Sequence, residues 1–360
     1  MNGLWLQLND KKYSFESLRA DDFPEPLTGF ERTTLQFCRD WLTGVKSFSL
    51  HTSGSTGISK EIVILRGQME ISAQQTIEVL KLRRGGTALV CLDPRYIAGK
   101  MMLVRSFVNA MNIVAVEPTA DPLKNISPGL KIDFTAVVPY QLQAILTSEI
   151  SRKKFNDFKA VLIGGAEVDG KLKAQLDRVK PVVFATYGMT ETISHIALQR
   201  LTSPALDYFT VMPGVAIRRD DRGCLVVHAA YLGKDEITTN DLVDVLSPHD
   251  FRWLGRWDNL INTGGIKVIP EKIEKEIEEI LEHDRITNRF FVAGLPDDQL
   301  GNKITLILEG NYPVDQHAYL LKKLRSKMAR YEVPREIKNV PIFVETATQK
   351  INRPATLKLL

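Results

Sequence analysis

The sequence predicts an α/β protein. A large N-terminal domain of mostly parallel sheets covered by helices carries a small β-rich subdomain, and a small α+β domain follows it. Three observations predict this. From residue 47 to about 200, short β-branched runs alternate with helix-like segments, as they do in a parallel sheet covered by helices. From about 205 to 255 the pattern becomes an apolar–polar alternation, which suits half-buried strands. After Gly255 amphipathic helix and strand runs make up a compact tail.

SFSLH (47–51), ALVCL (88–92), NIVAVE (112–117), FTAVV (134–138), AVLIG (160–164) and VVFAT (182–186) read as buried strands of the sheet. EISAQQTIEVLKL (70–82) and YQLQAILTSEI (140–150) carry helical periodicity. The β-rich stretch turns at Asp220 to Gly223. In the tail, Ile273, Ile277, Ile280 and Leu281 stand at i, i+4, i+7 and i+8, the apolar stripe of an amphipathic helix over Glu271 to His283. FFVAG and ITLILEG follow as strands, and Tyr319 to Met328 as a second helix. The boundaries are 1–255 for the large domain, with its β-rich part at about 205–255, and 256–360 for the tail.

Lys and Arg number 47 against 43 Asp and Glu, a net charge of +4. That excess is too weak to argue for nucleic acid and suits a small anionic ligand. Much of it lies in Lys322, Lys323, Arg325, Lys327 and Arg330, which read as a solvated helix face. The three cysteines, Cys38, Cys91 and Cys224, show no disulfide or metal-ligand spacing. The start lacks a basic segment followed by an apolar one, and no long apolar run occurs. A soluble cytoplasmic enzyme without a membrane span is expected.

Ligands of open α/β sheets bind at the carboxyl ends of strands, so the loops after strands draw attention. Directly after the first strand, Thr52-Ser53-Gly54-Ser55-Thr56-Gly57-Ile58-Ser59-Lys60 packs glycines, hydroxyls and a lysine together. Glycines let backbone approach a phosphate, hydroxyls donate to its oxygens, and lysine supplies charge. The G-x2-G-x2-K spacing differs from that of P-loop kinases.

A second strand ends in Thr186-Tyr187-Gly188-Met189-Thr190-Glu191. Tyr187 offers a ring face for a purine, Thr190 a hydroxyl for a phosphate, and Glu191 a hard oxygen for Mg²⁺. Asp241 can accept both hydroxyls of a ribose, and Arg256 can hold that ribose or a phosphate. Asp258 lies where the β-rich region gives way to the tail, a place for a hinge, and Gly264–Gly265 form a turn. Lys350 stands in a polar turn near the end. Taken singly, the last features read more simply as surface charges, a hairpin and a solvated lysine.

Taken together and in this order, the segments resemble the adenylate-forming superfamily of acyl-CoA synthetases, adenylation domains and luciferases. The family's phosphate loop is similar to Thr52–Lys60, with Ser59 in place of proline. Its Y-G-x-T-E is similar to Tyr187–Glu191, and its T-G-D to Thr239–Asp241, with Asn240 for glycine. Gly255–Gly265 resembles its G-R-x-D-D motif, with Asn259 for the second aspartate. The stretch up to Lys350 resembles its last motif, with Gln349 for glycine. Softer motifs, Asp93 to Arg105, Val138 to Leu142 and Leu162 to Glu167, resemble those of o-succinylbenzoate–CoA ligases of menaquinone biosynthesis, with Tyr96 where histidine is common. Family members carry a longer segment before the phosphate loop, so the resemblance implies an N-terminally shortened member.

The resemblance implies a ligase that joins an acid to CoA through an acyl-adenylate. ATP and CoA are its substrates, Mg²⁺ its metal, and o-succinylbenzoate its expected acid. Thr52, Ser53, Gly54, Ser55, Thr56, Gly57 and Lys60 would hold phosphates. Gly164, Gly165, Ala166, Tyr187, Gly188, Met189, Thr190, Asp241 and Arg256 would hold adenine and ribose, and Glu191 the metal. Lys350 would be catalytic, Asp258 the pivot of a mobile C-terminal domain, and Gly264–Gly265 the turn beside CoA. Tyr96, Lys100, Arg105, Ser194 and His195 are candidates for the acid. Another acyl- or aryl-CoA ligase, a carrier-protein-directed enzyme and an inactive nucleotide-binding relative are the alternatives. Homo-oligomerisation stays open.

Overall fold

The computed structural model describes residues 3–51, 61–127, 129–346 and 351–360. The chain forms two compact units, 1–216 with 227–237, and 217–226 with 238–360.

The first unit is built on a sheet whose strands are β1 (Trp5–Leu8), β2 (Lys11–Ser14), β5 (Thr87–Val90), β6 (Asn112–Ala115), β7 (Phe134–Val137), β8 (Ala160–Ile163), β9 (Val182–Gly188), β10 (His195–Arg200) and β11 (Phe209–Val211). Their order is β11-β10-β9-β8-β7-β5-β6-β1-β2. The stretch from β9 to β1 is parallel, and antiparallel strands flank it. Every residue of β5, β7 and β8 is buried, as expected of strands covered on both faces. Their side chains join Leu142, Ile145 and Phe155 in one apolar core.

The helices are α1 (Phe15–Arg19), α2 (Gly29–Thr43), α3 (Arg66–Val79), α4 (Ile97–Val108), α5 (Pro139–Thr147), α6 (Glu149–Phe155) and α7 (Gly170–Gln175). Local chemistry sets their ends. Thr28 caps α2 by accepting from Glu31 N, and Gly44 closes it at φ +89°. The helix expected over 140–150 is two helices, because Ser148 leaves the helical conformation and caps α6 by accepting from Ser151 N. α4 lies against β5, β6 and β7, and α3 packs on α4.

Two expectations are corrected. The strand at 47–51 is not part of the parallel sheet. β3 (Ser47–His51) pairs antiparallel with β4 (Glu61–Leu65) in a sheet of its own. Its burial alternates, with Phe48 and Leu50 inside, which is the pattern of a strand covered on one face. An aromatic cluster anchors this hairpin: Phe48 packs on Phe37 and Trp41 of α2, and Trp41 stacks on Phe107 of α4. Residues before 47, in which no element was foreseen, supply β1, which extends the parallel sheet at β6.

In the second unit the β-rich stretch forms the run β12 (Val215–Arg219), β13 (Cys224–Ala229), β14 (Ile237–Ser247) and β15 (Asp250–Arg256), with ends shared by the first unit. A further sheet combines β16 (Ile261–Thr263), β17 (Ile266–Val268), β18 (Phe290–Asp297), β19 (Gly301–Glu309) and β20 (Glu336–Val340). α8 (Pro270–His283), α9 (His317–Lys327) and α10 (Arg353–Leu357) complete it. The stripe Ile273, Ile277, Ile280 and Leu281 is buried against Val292, Leu306 and Leu324. All three cysteines are buried and free. No helix among the described residues is long and apolar enough to cross a membrane.

Candidate functional site

In the first unit, Gly164–Ala166 and Tyr187–Glu191 lie at the carboxyl ends of β8 and β9. The β8–β9 register pairs Ile163 with Ala185, which sets Gly164–Ala166 beside Thr186–Gly188. The two ends touch: the Thr186 hydroxyl donates to the Ile163 carbonyl at 3.1 Å. A Cβ on Gly164 would stand 2.7 Å from Thr186 Oγ1, so a side chain there has no room. Tyr187 packs on Phe209 with ring centroids 5.8 Å apart.

The chain then turns through Met189, Thr190 and Glu191 and returns as β10. Thr192 organises the turn. Its hydroxyl accepts from Met189 N at 2.9 Å and donates to the Ser194 carbonyl at 2.7 Å. Ile193 takes φ +69°, an unusual conformation for a β-branched residue and one found chiefly at functional turns. Gly188 meets the returning strand so closely that a Cβ would sit 2.3 Å from Ser194 O. Tyr187, Thr190, Glu191, Ser194 and His195 therefore share one hairpin.

Glu191 is exposed and has no ion pair among the described residues. No group of three or more His, Cys, Asp or Glu side chains among them could hold a metal alone. A single open carboxylate fits Mg²⁺, which takes its other ligands from phosphates and water.

Arg105 meets the returning strand from α4. It is 2% exposed, and its guanidinium donates from Nε to Thr76 Oγ1 at 3.2 Å and from Nη2 to Ser194 Oγ at 2.6 Å. His195 Nδ1 lies 3.4 Å from the same Nη2, and His195 Nε2 lies 3.0 Å from Thr76 Oγ1. Burial pushes the Arg105 guanidinium down to about 9, so it is charged at neutral pH. Burial, then the charge of Arg105, holds the His195 imidazole well below the ordinary histidine range. No carboxylate pairs with Arg105 among the described residues. The remaining residues of the chain include no Asp or Glu.

Lys100 and Tyr96 do not join this cluster. The Lys100 ammonium donates to the Pro94 carbonyl at 2.7 Å, and Tyr96 is 44% exposed before α4. Thr76, which does join it, is not among the residues that the sequence motifs mark. Its signal was a hydroxyl on the buried stripe Met69, Ala73, Thr76 and Ile77 of α3.

The second unit holds the other candidates. Asp241 and Arg256 are register partners on β14 and β15. The nearly buried Asp241 carboxylate accepts from Trp253 Nε1 at 3.1 Å and faces Arg256 Nη1 at 3.5 Å. Arg256 Nη2 also reaches Asp258 at 3.1 Å. Asn240 links Asp258 to Arg222. Asn259 donates to Glu271 at the start of α8. Gly264 and Gly265 form the β16–β17 turn at φ +57° and +82°. Arg353 donates to Glu274 at 2.8 Å. Thr52–Lys60 and Lys350 lie outside the described residues.

A family model described as AMP-binding enzyme matches residues 47–223. The crystal structure of an acyl-CoA synthetase (AMP-forming)/AMP-acid ligase II-like protein from Dyadobacter fermentans is 38% identical. It covers 94% of this chain and 96% of its own, with a TM-score of 0.64.

The chain belongs to the AMP-binding enzyme family.

This AMP-binding enzyme is also similar to a probable 2-succinylbenzoate–CoA ligase of Mycobacterium tuberculosis, at 26% identity over 85% of this chain and 82% of the relative. It is similar at 26% to a 4-chlorobenzoate–CoA ligase of Arthrobacter, over 85% of this chain and 65% of that one. The first acid named has a second carboxylate and the second has none. The two relatives are equally similar to this AMP-binding enzyme, so their names do not choose between these acids.

Proposed function

We propose that the protein is an AMP-forming acid–CoA ligase whose acid carries a second anionic group, with o-succinylbenzoate as the substrate. One observation carries the choice of acid: Arg105 is a buried cation with no carboxylate partner among the described residues. A buried charge without a counter-ion is unfavourable by several kcal/mol, and an anionic ligand group relieves it. A chlorinated benzoate would leave it uncompensated.

In the first half-reaction a carboxylate oxygen of the acid attacks the α-phosphorus of ATP. The bond to the β-phosphate oxygen breaks and diphosphate leaves. Lys350 would stabilise the charge building on the phosphorus, and Thr52–Lys60 would hold the outer phosphates. Glu191 would hold Mg²⁺, which would supply charge neutralisation for the phosphates. Tyr187 and Gly164–Ala166 would take the adenine, and Asp241 with Arg256 the ribose. In the second half-reaction the CoA sulfur attacks the acyl carbonyl and AMP leaves. Asp258 would serve as the pivot between the steps, with Gly264–Gly265 beside the acyl group in the second.

The test is CoA-dependent thioester formation across a panel of acids. The reading predicts ATP- and CoA-dependent turnover of o-succinylbenzoate and little of its monoester at the aliphatic carboxylate or the aromatic one. Equal turnover of simple benzoates would instead favour an aryl-CoA ligase.

A further inference from the structure

Thr76 has every hydrogen-bonding capacity of its hydroxyl engaged. Its one proton has an acceptor in the Ser72 carbonyl, 3.0 Å away one turn back on α3. With the proton there, the oxygen only accepts. It accepts from Arg105 Nε at 3.2 Å, and in this arrangement its 3.0 Å contact with His195 Nε2 takes the proton from the ring. The hydroxyl is fully buried, so water does not offer an alternative partner.

The other ring nitrogen selects this arrangement. With the proton on Nε2, the His195 Nδ1 lone pair points its acceptor character at Arg105 Nη2, 3.4 Å away. The opposite tautomer would set two donors against each other there. Arg105 Nη2 also donates to Ser194 Oγ, which leaves the Ser194 proton for another acceptor. All three partners of the guanidinium are neutral acceptors, so its charge is oriented and undiminished.

We propose that Thr76 is the positioning residue of the acid site, holding His195 as the Nε2–H tautomer and fixing the guanidinium of Arg105 for an anionic ligand. The ligand part of this statement rests on the function proposed above; the tautomer part does not. Thr76 touches no reacting atom and acts through its two neighbours. Valine at this position would keep the shape and remove the hydroxyl. The Nε2 proton and the Arg105 Nε–H would both lose their acceptor.

The experiment uses the full-length enzyme with ¹⁵N-labelled histidine side chains, the His195 signals being assigned by their loss in His195→Gln. Wild type is expected to show a protonated Nε2 and an unprotonated Nδ1. Thr76→Val should lose this signature and raise the KM for o-succinylbenzoate roughly tenfold, with the KM for ATP unchanged. Thr76→Ser, which restores a hydroxyl, should keep both. An unaltered His195 signature in Thr76→Val, or an Nδ1–H ring in wild type, would overturn the proposal. If wild type does not turn over o-succinylbenzoate, the assigned acid fails, and the tautomer measurement still decides the role of Thr76.

Discussion

Asn240 donates its side-chain amide to both carboxylate oxygens of Asp258, at 3.2 Å each, and accepts from Arg222 at 2.9 Å. The resembling family has glycine at this position, so this tie to the proposed pivot comes from a departure in the chain's own sequence. Asn240→Gly removes the tie. If Asp258 pivots between the half-reactions, the variant should change the rate of thioester formation by about two- to fivefold, the worth of a solvent-exposed contact to a charged group. Adenylate formation should be unaffected. Single-turnover measurement of each half-reaction checks it, and an unchanged ratio of the two rates counts against a role for this tie at the pivot.

Lys350→Ala should reduce adenylate formation by roughly 10²-fold or more, as expected when charge stabilisation is lost from a phosphoryl-transfer step. Thioester formation from preformed adenylate should be largely spared. Rapid-quench assays of the separate steps read this directly. Equal loss in both would remove Lys350 from its proposed role.

His195 gives a pH signature in stability. Its folded-state pKa lies well below 6.5 because it is buried beside Arg105. Below pH 6.5 the unfolded chain therefore binds a proton that the folded chain does not. Stability is unaffected by this group above pH 6.5 and falls below it, by about 1.4 kcal/mol per pH unit until the folded-state value is reached. Chemical denaturation of wild type and His195→Gln over this range should show a shallower acid slope for the variant. Parallel slopes would mean that His195 is protonated when folded.

The sequence was most legible where a single physical pattern dominated. Fully buried runs such as AVLI at β8 and the apolar stripe of α8 announced their elements through burial on both faces and through period. The β3–β4 hairpin was less legible. A short alternating strand does not reveal its partner, and the glycine-rich stretch after it conceals where the next strand begins. At the proposed acid site, periodicity does not separate Lys100 from Arg105. Five residues apart on a helix, they point about 140° away from each other, and only packing shows that Arg105 faces inward. Thr76 was hidden for a related reason: a lone hydroxyl on an apolar stripe gives no sign of which distant groups it will meet. The Tyr187–Glu191 turn was readable as a strand end, but its return to Ser194 and His195 depends on Gly188 admitting backbone at a distance that no side chain allows.

The most direct measurement of the central claim is the ratio of kcat/KM for o-succinylbenzoate to that for 4-chlorobenzoate, in wild type and in Arg105→Gln. A buried guanidinium awaiting an anion predicts a wild-type ratio of about 10² or more in favour of o-succinylbenzoate, from the worth of a hydrogen-bonded charge pair. It predicts collapse of that ratio in the variant, with the KM for ATP unchanged. A wild-type preference for 4-chlorobenzoate, or a ratio that survives the loss of Arg105, would contradict it.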